Sequence, residues 1–343
     1  MPRPLPASDL AHILTHTHEV WHPLRNQRIF LTGATGFFGH WLLESLLHAN
    51  RELDLNVRAT VLTRDPEAFA RKSPHVANDP ALSLEQGDIR TFRFPTAQHA
   101  FILHAATDAS PNPDPATLAD SILAGTHRVL DFARVTGARR LLYVSSGAVY
   151  GRNAPIERIP EDYPANIDPS SPTAAYDESK RMAEQLCISH TAGTGVACSI
   201  ARCFAFVGPH LPLDQHFAIC NFIRHGLDDT PIHIKGDGTP RRSWLYMADL
   251  AIWLWTMLVL APNGRAYNVG SEESYTIAEA ASLTAGTLRP GLHIQIDGTP
   301  KPGAPLNSYV PSTQRARTEL NLHETVGLAD ALRRTAAWHG HTI

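Results

Sequence analysis

Thr32-Gly33-Ala34-Thr35-Gly36-Phe37-Phe38-Gly39 stands between two segments of different texture. Before it runs Arg28-Ile29-Phe30-Leu31, short and apolar, a strand by type; after it comes His40-Trp41-Leu42-Leu43-Glu44-Ser45-Leu46-Leu47, apolar at helical spacing. The glycines fall at G-x-x-G-x-x-G. Gly33 permits a tight turn, Gly36 lets the backbone approach a pyrophosphate, and Gly39 lets helix and strand pack closely. The helix start then offers free N–H groups and a positive dipole end to phosphates. A glycine triplet by itself says little, because turns use glycine anyway. Here the strand before and the helix after supply the context that a dinucleotide site requires.

Outward from this turn, apolar runs at 57–62, 82–86, 100–103 and 141–145 alternate with helical stretches. That alternation predicts an α/β fold, a Rossmann-type doubly wound parallel sheet with helices on both faces. Residues 155–172 carry prolines and acids that interrupt the pattern, and they read as a loop over the active-site mouth. Beyond Gly208 the chain becomes irregular and rich in Pro and Gly. The expected division is an N-terminal helical extension (1–25), a dinucleotide-binding domain (26–205) and a smaller C-terminal lobe (206–343) with some strands returning to the main sheet.

A second motif is Tyr176-Asp177-Glu178-Ser179-Lys180, in a helix expected over 173–184 after Pro172. Residues four apart share a helix face, so the phenol and the ammonium are neighbours. A free tyrosine titrates at about 10, and a nearby ammonium is expected to lower that value towards a useful base. Tyr-x-x-x-Lys is a loose pattern and on its own describes an ordinary surface pair. A third element adds weight. The buried-type strand Leu141-Leu142-Tyr143-Val144 runs into Ser145-Ser146-Gly147-Ala148. Chemistry gathers at the carboxyl ends of parallel strands. Ser146 stands there, able to hydrogen-bond a substrate oxygen.

The 343 residues include 43% hydrophobic ones, ample for a large core, and the net charge of −3 gives no bulk attraction to nucleic acid or an anionic membrane. Cys187, Cys198, Cys203 and Cys220 lack metal-ligand spacing and read as reduced, mostly buried thiols of a cytoplasmic protein. No apolar run spans a bilayer, and 252–260 reads as a buried helix. The stretch 8–21 reads as a capped amphipathic helix rather than a secretory signal. His12 and His16 are four apart, and His18-Glu19-Val20-Trp21-His22 matches H-E-x-x-H. That motif needs a sustained helix and a third ligand, and Pro23 follows directly, so no metal is assigned.

With these motifs in order, the chain resembles the extended short-chain dehydrogenase/reductase family, the nucleotide-sugar epimerases, dehydratases and ketoreductases, from about Arg28 to the C-terminus. Further landmarks are Gly87-Asp88-Ile89, His104-Ala105-Ala106, Gly125-Thr126, Arg202 with Gly208-Pro209, Gly236-Asp237-Gly238 leading to Arg242, Asp249 and Asn268-Val269-Gly270. The resemblance implies Ser146, Tyr176 and Lys180 as catalytic residues. It implies a cofactor held by Gly33, Thr35, Gly36, Phe37, Phe38, Gly39, Arg64, Asp88, Ile89, Ala105, Ala106, Thr107, Tyr176 and Lys180. It implies a nucleotide-diphosphate sugar met by Ser146, Gly147, Asn221, Phe222, Arg242 and Lys301, and a homodimer. Arg242 matches the diphosphate-binding arginine. Arg241 reads as its solvated neighbour, and His216 reads equally as a sugar contact or as a loop residue.

The second strand ends in Thr63-Arg64-Asp65. An NAD site usually puts an acid at the strand tip for the ribose 2′-OH, whereas arginine suits a 2′-phosphate. NADP is therefore favoured over NAD, unless Arg64 only stacks on adenine or Asp65 turns in. The family's dehydratases and sugar-acid decarboxylases carry acids just after the active-site hydroxyl. Gly147 and Ala148 stand there, which argues against both reactions, although 202–249 looks like the decarboxylases. Bifunctional epimerase-reductases need an extra cysteine, and Thr107-Asp108-Ala109-Ser110 has none. Two asparagines usual in the family are Ile122 and Ala205 here. A 4-ketoreductase of an NDP-4-keto-6-deoxyhexose is the leading expectation. A C4 epimerase that retains NAD is the alternative, and a non-catalytic nucleotide-binding sensor is a third, disfavoured by the intact Ser146/Tyr176/Lys180 set.

Overall fold

The computed structural model describes residues 3–107, 113–151, 154–214 and 217–341. The stretch expected to form one capped helix is two pieces, α1 (Ala7–His16) and α2 (His18–Trp21). Pro6 precedes α1, and Ser8 lies inside the first turn rather than capping it. Thr17 breaks the run. Its hydroxyl donates back to the Ile13 carbonyl (2.6 Å) and accepts from Trp21 Nε1 (2.7 Å). A 3₁₀ turn, His22–Leu24, takes over at Pro23, so His18 and His22 do not share a continuous helix.

In chain order there follow β1 (Arg28–Thr32), α3 (Phe37–Glu52), β2 (Arg58–Thr63), α4 (Pro66–Lys72), α5 (Pro74–Ala77), β3 (Leu82–Gln86), β4 (Phe101–His104), α6 (Pro115–Thr136), β5 (Arg140–Ser146), α7 (Ala175–Thr191) and β6 (Ala197–Cys203). Next come β7 (Phe206–Val207), α8 (Ala218–Asp228), β8 (Ile232–Ile234), β9 (Arg241–Arg242), β10 (Leu245–Tyr246), α9 (Met247–Leu260) and β11 (Arg265–Val269). The chain closes with β12 (Tyr275–Thr276), α10 (Ile277–Leu288), β13 (Ile294–Ile296), β14 (Ser308–Tyr309), α11 (Gln314–Leu320) and α12 (Leu328–Trp338).

Seven strands form the main sheet, in the order β11-β6-β5-β4-β1-β2-β3. The pairs from β3 across to β6 run parallel, as the alternating pattern predicts. The strand order reverses beside β1, between β2 on one side and β4 on the other. Ligands of doubly wound sheets bind in the crevice outside the strand ends at that point. Thr32 and His104 are register partners at the carboxyl ends of β1 and β4.

The chain divides into two compact units. The first holds the chain up to Val149 together with Ile167–Cys203 and Ala251–Tyr267; the second holds Tyr150–Asn166, Phe204–Leu250 and the chain from Asn268 onward. In the first, Phe30 stacks with Phe92 (ring centroids 5.4 Å apart) and meets Phe132 (4.7 Å) in a core that includes Ile102, Leu141 and Ile200. Fully burying one such side chain contributes about 1.5–3 kcal/mol. Trp255, in the part of α9 that belongs to this unit, packs on Trp21 (5.4 Å) and donates to Ser45 of α3 (3.0 Å). Among the described residues, no helix is long and apolar enough to cross a membrane. In the second unit, 150–166 is tied in by isolated bridges, Ala154 with Ser308 and Ile159 with Pro311. All four cysteines are buried and unbridged.

Candidate active site

The glycine-rich turn is built by close packing. Gly33 has φ +72°, and a Cβ on it would stand 2.5 Å from the Ala105 carbonyl group. A Cβ on Gly39 would lie 2.0 Å from the Ala34 oxygen, so α3 can approach β1 only with glycine there. Gly36 occupies the N-cap of α3 and supplies no side-chain hydrogen bond, which leaves the first-turn amides available to an anion. Phe37 and Phe38 form the first turn, their ring centroids 6.0 Å apart.

A cleft of about 610 Å³ opens from this turn. It is lined by Gly33, Thr35 and Gly36, by Thr63, Arg64, Asp65 and Lys72, by Asp88, Ile89 and Arg90, and by Ala106 and Thr107. Most of the sequence-predicted cofactor residues therefore meet in one place. Ala105 backs Gly33, and Gly39 is buried beneath Ala34; neither is in the lining. Thr107 Oγ1 is buried without a hydrogen-bond partner among the described residues, a donor or acceptor ready for a ligand. Its neighbours Asp108, Ala109 and Ser110 lie outside the described residues.

At the β2 end of the cleft the acid is occupied. The Asp65 carboxylate accepts from the Ala68 backbone N–H (2.8 Å) and caps α4. Arg64 and Lys72 stand on the lining beside it. Across the cleft Asp88 is clasped by Arg90 (2.8 Å), which also reaches Asp120 (2.8 Å). The hydrogen bond from Arg90 holds the Asp88 carboxyl below its ordinary range, with Arg64 adding to the effect.

Ser146, Tyr176 and Lys180 form a separate cluster at the end of β5 and the start of α7. The expected helix is a 3₁₀ turn, Pro172–Ala174, leading into α7. The Ser146 side chain stands near enough to the Tyr176 phenol to draw its titration down. Ser146 Oγ also accepts the Ala148 backbone N–H (3.1 Å), and a 3₁₀ turn, Gly147–Tyr150, follows. Lys180 Nζ donates to the Val144 carbonyl (3.0 Å) and lies 5.9 Å from the Tyr176 ring centroid. The expected lowering of the phenol by the ammonium is not what the structure shows. Burial pushes Tyr176 above its ordinary value, against the pull of Ser146, because desolvating a phenolate costs more than these contacts return. Burial likewise pushes Lys180 down to about 8, opposed by Cys203, Glu184 and Cys187.

In the second unit, Arg242 of β9 donates to the Asn307 side chain (3.1 Å) and to the Arg241 carbonyl (2.7 Å). Arg241 is not a solvated neighbour. Its guanidinium donates to Ser274 Oγ (3.2 Å) and to the Ser274 carbonyl (3.1 Å). On α8, Asn221 accepts from Arg224 (2.9 Å) and Phe222 is buried. Lys301 is exposed, with its charge felt at Asp237. His216 lies outside the described residues.

Residues 29–270 match the NAD-dependent epimerase/dehydratase family. The chain belongs to that family. UDP-glucuronic acid decarboxylase 1 of Arabidopsis thaliana is 29% identical over 316 residues, covering 90% of this chain and 68% of that one. Two solved structures share the fold. One is UDP-glucuronic acid 4-epimerase of Bacillus cereus in complex with NAD (TM-score 0.75, 21% identity, 91% of this chain and 98% of that one). The other is UDP-glucose 4-epimerase of Thermotoga maritima with UDP-glucose (TM-score 0.73, 18% identity, 91% and 98%).

Several features of this epimerase/dehydratase site go beyond its short motifs. His104 is buried between Thr32 Oγ1 (2.7 Å) and Thr126 Oγ1 (3.2 Å), and burial, with Lys180 nearby, pushes it down to about 3. It is a neutral strut. The Ala106 N–H donates to Thr32 Oγ1 (3.2 Å), so one hydroxyl ties the imidazole to the β4 end of the cleft. Lys72, Asn307 and Glu184 belong to no short pattern. Only the placement of charge along otherwise apolar stretches hints at them. Ile122, where an asparagine is usual, is buried in the core of the first unit.

Proposed function

We propose that this protein is a nucleotide-sugar 4-ketoreductase that draws on NADPH to reduce an NDP-4-keto-6-deoxyhexose. The observation that carries the cofactor half is Asp65. Committed to capping α4, it leaves Arg64 and Lys72 to face the cleft, a pair suited to a 2′-phosphate. The cleft's size, the uncapped α3 amides and the buried Thr107 hydroxyl fit a dinucleotide. Bound there, the nicotinamide supplies the hydride.

The chain's own residues handle position and protons. Ser146 holds the C4 oxygen. Tyr176, kept as a phenol by burial, gives its proton to that oxygen as negative charge develops. Lys180 keeps the leaving phenolate neutralised. Gly147 and Ala148 carry no acid or base for dehydration or decarboxylation. Arg242, braced by Asn307, takes the diphosphate with Lys301, and Asn221 and Phe222 serve the nucleotide. The exposed Met182 and Ile188 on α7 support a homodimer, which light scattering on the eluted protein checks. The buried free thiols suit a reducing, cytoplasmic setting.

The test mixes the protein with an NDP-4-keto-6-deoxyhexose and NADPH and follows absorbance of the reduced cofactor. Stoichiometric oxidation supports the reductase. No net oxidation, together with interconversion of C4 epimers of an unreduced nucleotide sugar, replaces it with an epimerase that retains NAD.

A further inference from the structure

Tyr176, Lys180 and Glu184 follow one another at four-residue steps along α7, so they form one stripe down one side of the helix. Glu184 is buried. It accepts from Ser145 Oγ (2.6 Å) and is gripped by Arg202, Nη2 to Oε2 at 2.7 Å and Nε to both oxygens at 3.0 and 3.1 Å. Ser145 adjoins Ser146, and it pairs with Arg202 across β5 and β6. Lys180, one turn earlier, is fastened to the Val144 carbonyl of the same strand. We propose that Glu184, held by Arg202 and Ser145, is a positioning residue: it fixes the register of α7 against the end of β5, so that Tyr176 meets Ser146, and it keeps a negative charge beside the Lys180 ammonium.

Stability alone does not account for this arrangement. A buried ion pair is often no better than well-packed apolar residues of the same volume, because desolvation offsets the attraction. What an apolar residue cannot supply is direction and charge. The bidentate guanidinium fixes the carboxylate plane, and the Ser145 hydroxyl ties that plane to the residue next to Ser146. The charge matters because Lys180 is buried, and Glu184 acts on it together with the Cys203 and Cys187 side chains. From α7 it faces Tyr176 and Cys187, from β6 Cys203, from β5 Tyr143 and from β4 the neutral His104. Burial holds both thiols and both phenols in their protonated forms. On α6, which packs along α7, Asp131 pairs with His190 (3.7 Å), about 15 Å further along the helix than Lys180. Among the described residues, Glu184 is thus the carboxylate that raises this ammonium, with Cys203 and Cys187 acting in the same direction.

The proposal rests on the reading of Lys180 as the cation that serves Tyr176 and the nicotinamide ribose, and its first test is a binding measurement. NADPH affinity is measured by fluorescence from about pH 6.5 to about 9.5 for the wild type, Glu184→Gln, Glu184→Asp and Lys180→Met. In the wild type, affinity should fall as pH rises through about 8, where Lys180 loses its proton. Lys180→Met should show no such fall. Glu184→Gln keeps the shape and removes the charge, so the fall should move down by at least about half a pH unit, and Glu184→Asp should restore it. Ser145→Ala, which removes the tie and keeps the charge, should leave the fall in place and reduce turnover about tenfold at unchanged KM. A Glu184→Gln protein that only melts earlier, with its pH dependence unmoved, would reduce Glu184 to a structural brace and overturn the proposal. Should Glu184→Gln not fold, Ser145→Ala decides: wild-type turnover in that variant refutes the positioning role. A wild type indistinguishable from Lys180→Met would instead remove the reading of Lys180 on which the proposal stands.

Discussion

Replacing Arg64 with alanine should lower affinity for NADPH while leaving NADH binding nearly untouched. Arg64 lines the cofactor cleft beside Lys72, and its neighbour Asp65 is spent on the α4 cap. A charge-assisted hydrogen bond is worth about 1.5–3 kcal/mol, or roughly 10- to 150-fold in Kd. Arg64 is exposed, so water screens it and the lower end, about tenfold, is the expectation. Lys72→Ala should weaken NADPH less, because an ammonium makes a point contact rather than a fork. Asp65→Ala is the control. It should cost about 1 kcal/mol of stability through the lost cap without bringing NADH up to parity. The assay is fluorescence titration of both reduced cofactors against all four proteins at fixed ionic strength. Equal or tighter NADH binding by the wild type, or an Arg64→Ala loss shared equally by both cofactors, would refute the reasoning and shift weight to an epimerase that retains NAD.

Tyr176→Phe should cut turnover by about 10²–10⁴-fold with NADPH affinity unchanged, since it removes the proton donor and leaves the cleft intact; retained activity sinks the assignment. Gly39→Ala should abolish cofactor binding and destabilise the fold, because its Cβ has only 2.0 Å to the Ala34 oxygen; a normal melting temperature and normal affinity together contradict the packing described here. Burial pushes Glu324 up to about 7, with the Ser271 hydrogen bond opposing and Asp249 and other acids adding to the rise. A carboxyl raised in the folded state contributes stability that is full below its unfolded value and is lost as pH rises through about 7. Denaturant unfolding at pH 5 and pH 8 should therefore show a gap that narrows in Glu324→Gln, and an equal gap in both proteins rules the account out.

Local chemistry was what the sequence made readable. The glycine spacing with its flanks marked the β1–α3 turn, and apolar runs marked β2 to β5 to within a residue or so. Four-residue spacing put Tyr176 and Lys180 on one helix. Longer-range facts were not readable. The break at Thr17 depends on one hydroxyl choosing the Ile13 carbonyl and Trp21 over a continued helix. Arg241 looked solvated because its partner Ser274 is 33 residues away. The direction of the Tyr176 shift is not legible in the sequence, because spacing shows an ammonium nearby but not how much water is excluded. Asn307, which braces Arg242, directly precedes β14, whose pairing with β9 no sequence window spans.

The main sheet also has a history in time. β6 ends at Cys203, and the strand that covers its outer edge, β11, begins at Arg265, about 60 residues later. At a synthesis rate of about 5–20 residues per second, that edge stands open for several seconds as the chain emerges. An unpaired row of backbone donors and acceptors is a template for another chain. Trp255, which packs against Trp21 and donates to Ser45, arrives in the same interval. The first unit is thus complete only once residues 251–267 have joined it, and a fragment cut near residue 205 carries the whole glycine turn on a sheet without its border.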